Sequence, residues 1–482
     1  MREHKSLLSN SIFNMLKTGL GILFPVITFV YSARILGVEG VGAVSFARSF
    51  ISYFTMIALL GMTYYGTREG AKLRDDPERF SQFCHEMLTI NAVTTVIAYG
   101  LLVIAMVTIT KLQVYRLLLL VNSLEIVLKG MGMEWLYQAR EEYKYIAVRT
   151  MLFQLIALIA MFLFVREPKD VVRYAVVTLT ATSGSYVLNF INARKYINLK
   201  KYNSYNIKKH LKPLLWLFAM AVSIELYTVL DTTMLGFLQG DTAVGKYTAA
   251  VRVNKTVNSM IMAIAVVLIP RLSYYVGHHD YRKVETLVEK AYNFTFMLSV
   301  PCAVGIFILS GGIIQLLSGR DFATAAHTMR VMTPIVILIP FSYATNTQTF
   351  IPMKKEKLIL ASTMTGAVTN FICNSFLIPR FAEDGAAIGT LAAESAVAMV
   401  CLINANRFFD MKKVFRSFWQ YWAAAAPIPV LAFALRELPL HYAITMFLTV
   451  FFSVLCYFGI LLILKNSYLA EAVMKVLKKD IK

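Results

Sequence analysis

Gly19-Leu-Gly-Ile-Leu-Phe-Pro-Val-Ile-Thr-Phe-Val-Tyr31 carries no charge, and across 11–33 the only charged side chain is Lys17. Crossing the ~30 Å hydrocarbon layer takes about 20 helical residues, so this stretch is long enough to span a bilayer. Thirteen comparable segments follow, at 41–63, 86–108, 114–137, 146–165, 171–192, 213–237, 244–269, 290–310, 327–350, 358–378, 385–405, 417–435 and 442–464. The connections between them are short and polar. Composition agrees: 57% of the 482 residues are hydrophobic and 16% charged, where soluble domains average about 25% charged. In lipid every backbone polar group must be satisfied internally, which leaves helix bundles or closed barrels. The apolar runs are continuous rather than alternating, and this excludes the barrel. The expected fold is an all-α polytopic membrane protein with about 14 transmembrane helices.

Lysine and arginine set the expected orientation. With the N-terminus in the cytoplasm, the inner connections (1–10, 64–86, 139–149, 193–212, 271–290, 351–357, 406–416 and 465–482) hold 32 of the 48 basic residues. The reverse orientation would put that larger set outside, against the positive-inside bias. Both termini are therefore expected in the cytoplasm, and the basic start Met1-Arg-Glu-His-Lys-Ser reads as the lead into an uncleaved first helix. The stretch 193–212 combines seven basic residues with three tyrosines. Beside an apolar span such a run reads as a topology signal touching anionic headgroups, not as a nucleic-acid surface. The five cysteines have no pairing or metal-ligand spacing and read as small apolar residues.

The basic stretch separates six spans from six, with two more appended. Expected units are thus a six-helix lobe at 1–200, a second at 201–410 and two added helices with a basic tail at 411–482. Val41-Gly-Ala-Val-Ser-Phe-Ala-Arg48 and Val244-Gly-Lys-Tyr-Thr-Ala-Ala-Val-Arg252 open the second span of each lobe, and Tyr64-Tyr65 and Tyr274-Tyr275 follow each of those spans. Because six is even, this is a parallel repeat, a construction found in transporters with a central site.

Charges inside spans are costly, about 2.5–3.5 kcal/mol each on insertion scales, and tend to face a cavity or a partner. Lys17 borders a stripe of Asn14, Thr18, Gly21, Pro25, Thr28 and Ser32; it either faces a cavity or snorkels to the interface. Arg48 lies roughly 10 Å inside the second span at 1.5 Å per residue, too deep for easy snorkelling. Arg252 and Lys255 share a face of the eighth span with Thr248, Thr256 and Ser259. Two such cations require an anion, either a ligand or the neighbouring acids Glu225 and Asp231. Glu125 and Lys129 stand at i, i+4 in the favourable order and read as a structural pair. Glu394, alone near the middle of the twelfth span, is a candidate ion- or proton-coupling carboxylate or a hydrogen-bonded structural acid. There is no Gly-x-x-x-x-Gly-Lys-[Ser/Thr] loop, His-Glu-x-x-His pattern or Gly-x-Ser-x-Gly elbow. No cofactor, metal or enzymatic activity is expected, and the outer connection 311–326 is too short to house a polymerase active site.

Ser32-Ala-Arg-Ile-Leu-Gly-Val-Glu-Gly-Val-Gly-Ala-Val-Ser-Phe-Ala47 resembles the first-loop signature of bacterial polysaccharide flippases. These are the O-antigen and capsule repeat-unit exporters of the multidrug/oligosaccharidyl-lipid/polysaccharide superfamily. Gly37, Gly40 and Gly42 suit the tight connection required there. The resemblance implies translocation of an undecaprenyl-diphosphate-linked oligosaccharide between leaflets of the cytoplasmic membrane. Lys17, Arg48 and Arg252 then match cation positions of related peptidoglycan-precursor flippases, with Lys at 17 where those have Arg. It also implies as partners the bilayer, the lipid-linked oligosaccharide and assembly proteins such as a polysaccharide polymerase. A multidrug antiporter of the same fold, or a peptidoglycan-precursor flippase, is the alternative.

Overall fold

The computed structural model describes residues 7–198, 202, 205–265 and 269–470; the side chains of 7–18, 20, 22, 23, 264, 265, 269 and 270 lie outside that description. In their described residues the fourteen predicted spans fall mainly on helix, and this is a multi-pass membrane protein. Among the described residues, eight helices are long and apolar enough to cross a bilayer, or nine with one bent pair. The difference from fourteen has two sources. Two continuous helices each contain two predicted spans, and shorter helices make up others in pieces.

Leu7–Leu59 holds spans one and two, broken at Gly37, whose φ of 68° and ψ of −173° lie outside the helical region. Only glycine adopts this backbone without strain, so the expected tight connection is built on that residue. Glu356–Ala405 repeats the device for spans eleven and twelve, here with Ala382 at φ 46° and ψ −125°. Span six is divided by a π-helical segment, Thr180–Gly184, and span ten by another, Ala344–Phe350. Both segments are rich in hydroxyl side chains that bond back to the chain: Thr182 Oγ1 donates to Thr178 O, and Thr349 Oγ1 donates to Ala344 O five residues earlier. Side-chain donors of this kind compete with the regular helix ladder.

The chain forms two compact units, divided between Gly245 and Lys246. In the first, Leu7–Leu59 is the axis, packing against Pro77–Thr108, Arg116–Gly132, Tyr143–Phe164 and Lys208–Leu238. Phe46, fully buried, is wedged among Tyr115, Phe50 and Phe237. Outward faces are apolar, with Val93, Val96, Ile97, Leu101 and Ile104 exposed along span three. Such a stripe faces hydrocarbon.

In the second unit the axis is Tyr281–Ser318, held by tyrosine hydroxyls. Tyr292 Oη bonds Thr345 Oγ1 at 2.8 Å, Tyr421 Oη donates to Asn293 Oδ1 at 3.1 Å, and Tyr457 Oη donates to Met297 O at 2.8 Å. These polar bonds join spans nine, ten, thirteen and fourteen where water cannot serve as a partner.

The repeated glycines meet one another. A Cβ on Gly42 would lie 1.9 Å from Asp241 O, and one on Gly245 would lie 2.1 Å from Val38 O. Span two and the 241–245 turn therefore approach backbone to backbone. Gly42→Ala is expected to destabilise by about 3 kcal/mol, the upper end for overpacking against unyielding atoms. A melting curve in detergent checks this, with Gly100→Ala as control because nothing lies within 4 Å of its Cβ position. Equal melting of the two variants would remove the close approach from the account.

Candidate functional site: intramembrane charges of each unit

In the first unit the charges gather where spans two and four meet. Arg48 is exposed on the second half of Leu7–Leu59. It lies within electrostatic reach of Glu125, which is buried on Arg116–Gly132 and ion-paired to Lys129. The i, i+4 pair is thus made as expected, and a second cation from another span attends the same carboxylate. Less than two turns along, Tyr53 Oη donates to Thr233 Oγ1 of span seven at 3.2 Å. Both acids of that span, half-buried Glu225 and buried Asp231, lie within electrostatic reach of the Tyr53 oxygen. Span two therefore meets charged side chains of span four near Arg48 and of span seven near Tyr53. Lys17 stands on Leu7–Leu59, but its side chain lies outside the described residues.

The second unit holds the remaining candidates. Arg252 is half-buried and Lys255 exposed on Asp241–Ala265. Buried Asn254 and Asn258 accompany them on the same helix. Glu394 is buried on Glu356–Ala405, within electrostatic reach of Cys401. Around Cys401, Asn346 Oδ1 accepts from Ser362 Oγ at 3.3 Å and from Cys401 Sγ at 3.4 Å. Glu394 itself is 6% exposed. All five cysteines are free thiols.

Two buried networks escape a linear reading. Arg149, at the start of span five, is 3% exposed. Its Nη1 donates to Ser185 Oγ at 2.5 Å and its Nη2 to Glu134 Oε2 at 3.1 Å, with the guanidinium beside the rings of Tyr145 and Tyr186. The second network lies in the stretch read only as a basic topology signal. His210 Nε2 is 2.7 Å from Glu86 Oε2, and His210 Nδ1 is 2.6 Å from Tyr65 Oη. Glu86 Oε1 also accepts from the Asn206 backbone N–H at 2.7 Å. A carboxylate only accepts, so the neutral ring carries its proton on Nε2 and donates it there, while Nδ1 accepts a hydrogen bond from the Tyr65 hydroxyl. That chain ties the first turn of Lys208–Leu238 to Met62–Leu73 and Pro77–Thr108. The sequence signal was an acid and a histidine beside the ends of spans, which is visible but unpaired without the fold.

Compared with known proteins, residues 7–276 match the family described as polysaccharide biosynthesis protein, and residues 217–376 match the MatE family. The candidate O-antigen transporter of Escherichia coli (strain K12) is 24% identical over 408 residues, covering 83% of this chain and 96% of its own. Among solved structures, the lipid II flippase MurJ in an inward closed conformation superposes with a TM-score of 0.75 at 15% identity, over 95% of this chain and 99% of that one. An inward-facing multidrug resistance MATE family transporter of the MOP superfamily gives 0.61 at 14% identity, over 80% and 94%. At such identities the structures speak for the fold alone. The sequence match is different in kind: it takes in more than half of the 482 residues, including the Gly37 turn and Arg48, and so this chain belongs to the polysaccharide biosynthesis protein family.

Proposed function

We propose that this protein is a flippase. It carries an undecaprenyl-diphosphate-linked oligosaccharide, the repeat unit of an O-antigen, capsule or exopolysaccharide, from the inner to the outer leaflet by alternating access. The observation that carries this reading is Arg48, a cation deep in a span yet exposed, within electrostatic reach of Glu125, in a family of polysaccharide biosynthesis. A diphosphate head needs such cations, because arginine matches its oxygens in a bidentate fork. Lys17, Arg252 and Lys255 complete the proposed binding set. Glu225, Asp231 and Glu394 are the proposed ion-coupling carboxylates.

The protein sits in the bacterial inner membrane with both termini cytoplasmic. Its six-helix lobes, 1–200 and 201–410, rock about a cationic central cavity, with 411–482 appended. The sugar head enters the cavity while the polyprenyl tail stays in lipid. A head with about two negative charges, moving outward down an inside-negative potential, gains roughly 2.3 kcal/mol per charge per 100 mV. ATP is not needed for a drive of that size. Assembly proteins such as a polymerase receive the product outside. The chemistry of chain growth belongs to them, and this chain is a carrier rather than an enzyme.

The acids of span seven favour one competing reading, a multidrug antiporter, because Asp231 is a buried carboxylate inside the MatE match. Mass spectrometry of lipids from cells lacking the protein separates the two. Polyprenyl-diphosphate oligosaccharide is expected to accumulate on the inner leaflet, with dye efflux unchanged. Normal glycolipids with lost efflux would favour the antiporter, and accumulated peptidoglycan precursor would replace the oligosaccharide as cargo.

A further inference from the structure

The carboxylate shared by Arg48 and Lys129 in the first unit's electrostatics is placed oddly for a merely structural acid. Glu125 is the most withdrawn member of its cluster: its side chain is 9% exposed, against 31% for Lys129, and Arg48 is more exposed still. The two cations, on different spans, are thus more exposed than the acid whose charge both of them feel. Lys129 makes its ion pair with Glu125 from one turn away on the same helix, and span two, packed against span four, brings Arg48 within electrostatic reach of the same carboxylate. Two cations on one acid leave an excess of one positive charge at an exposed intramembrane surface. That surface is built to attract an anion and is already partly occupied by one.

We propose that Glu125 is a built-in substitute for the lipid-borne diphosphate, holding Arg48 and Lys129 while the carrier is empty and yielding them to the phosphate oxygens when the head arrives. The inference rests on the flippase reading and deepens it. It moves Lys129 from a structural partner to a substrate-contacting residue and makes Glu125 a positioning residue that acts through both cations. The chemistry is a competition for the same donors. A dianionic head offers more acceptor oxygens than a single carboxylate, and Arg and Lys make their strongest hydrogen bonds to such anions. On release, Glu125 re-forms its pair and takes the place of the departing phosphates. The empty site is thereby held to one excess positive charge rather than two, and each uncompensated charge is costly in hydrocarbon. A site of cations alone would hold the diphosphate longer and turn over slowly.

The test uses purified full-length protein in detergent, farnesyl diphosphate as probe, and a leaflet-to-leaflet transport assay in vesicles of phosphatidylethanolamine and phosphatidylglycerol. Glu125→Gln is expected to bind farnesyl diphosphate about tenfold tighter than wild type and to transport several-fold more slowly. Glu125→Gln/Lys129→Gln, which removes one charge of each sign, is expected to return to within about threefold of wild-type affinity. If the acid only supports the fold, Glu125→Gln melts at lower temperature with unchanged or weaker probe binding, and the proposal is overturned. A Glu125→Gln chain that does not fold leaves the double variant to decide: affinity lowered tenfold or more from wild type would show that Lys129 binds and that Glu125 does not compete. Wild-type protein that binds no farnesyl diphosphate would instead remove the flippase reading itself.

Discussion

Arg48→Ala is expected to lower export of the lipid-linked oligosaccharide by about ten- to hundredfold, with membrane abundance near wild type. A hydrogen bond to a charged group contributes about 1.5–3 kcal/mol, and that range sets the size of the loss. The second half of the expectation comes from the surroundings. Arg48 is exposed, so its removal opens no core cavity, and Glu125 keeps Lys129 as counter-ion. No orphaned charge is left to unfold the unit. Arg48→Lys keeps the charge but loses the bidentate fork, and should fall between the two. Arg252→Ala, on the second unit, is expected to reduce export to a similar degree. Pulse-labelled glycolipid appearing in the outer leaflet, normalised to protein by immunoblot, measures both. Full export by Arg48→Ala and Arg252→Ala alike would remove the two arginines from the site.

That first expectation depended on residues a linear reading can find, and the reason is physical. Hydrocarbon imposes length and polarity on each span independently, so the fourteen segments and the charges inside them stand out without any knowledge of packing. The turn at Gly37 was legible for the same reason: it depends on local backbone freedom. The Glu125–Lys129 pair obeys helix spacing and could also be read directly. What joins different spans could not. Nothing in the sequence says that Arg48 attends Glu125, or that Glu86 waits 124 residues for His210. The π-helical segments at Thr180–Gly184 and Ala344–Phe350 were likewise hidden, because a run of hydroxyl residues is compatible with either helix type until its neighbours are placed. Arg149 is the clearest case. Counting cations for orientation placed it at the inner ends, where solvent or headgroups would satisfy it, yet tertiary packing buries it completely among Glu134, Ser185, Tyr145 and Tyr186.

Arg149 also supports the largest expected loss of stability, and the asymmetry of its burial predicts which partner matters more. In the Arg149–Glu134 pair the arginine side chain is 2% exposed and the glutamate 22%. Breaking a buried pair from one side costs about 3–5 kcal/mol, chiefly because the surviving charge is left uncompensated. Removing Glu134 strands a cation that has almost no contact with solvent. Removing Arg149 strands an acid that retains some. Glu134→Leu should therefore melt well below Arg149→Met, although the latter deletes the larger network. The double variant Glu134→Leu/Arg149→Met, which takes both charges away and leaves apolar side chains, should recover much of the loss seen in Glu134→Leu. Thermal unfolding of the four proteins in one detergent gives the cycle. Additive losses, with the double variant the least stable of the set, would mean that the pair is held by its other contacts and that the charge on Arg149 is not what Glu134 is there to balance.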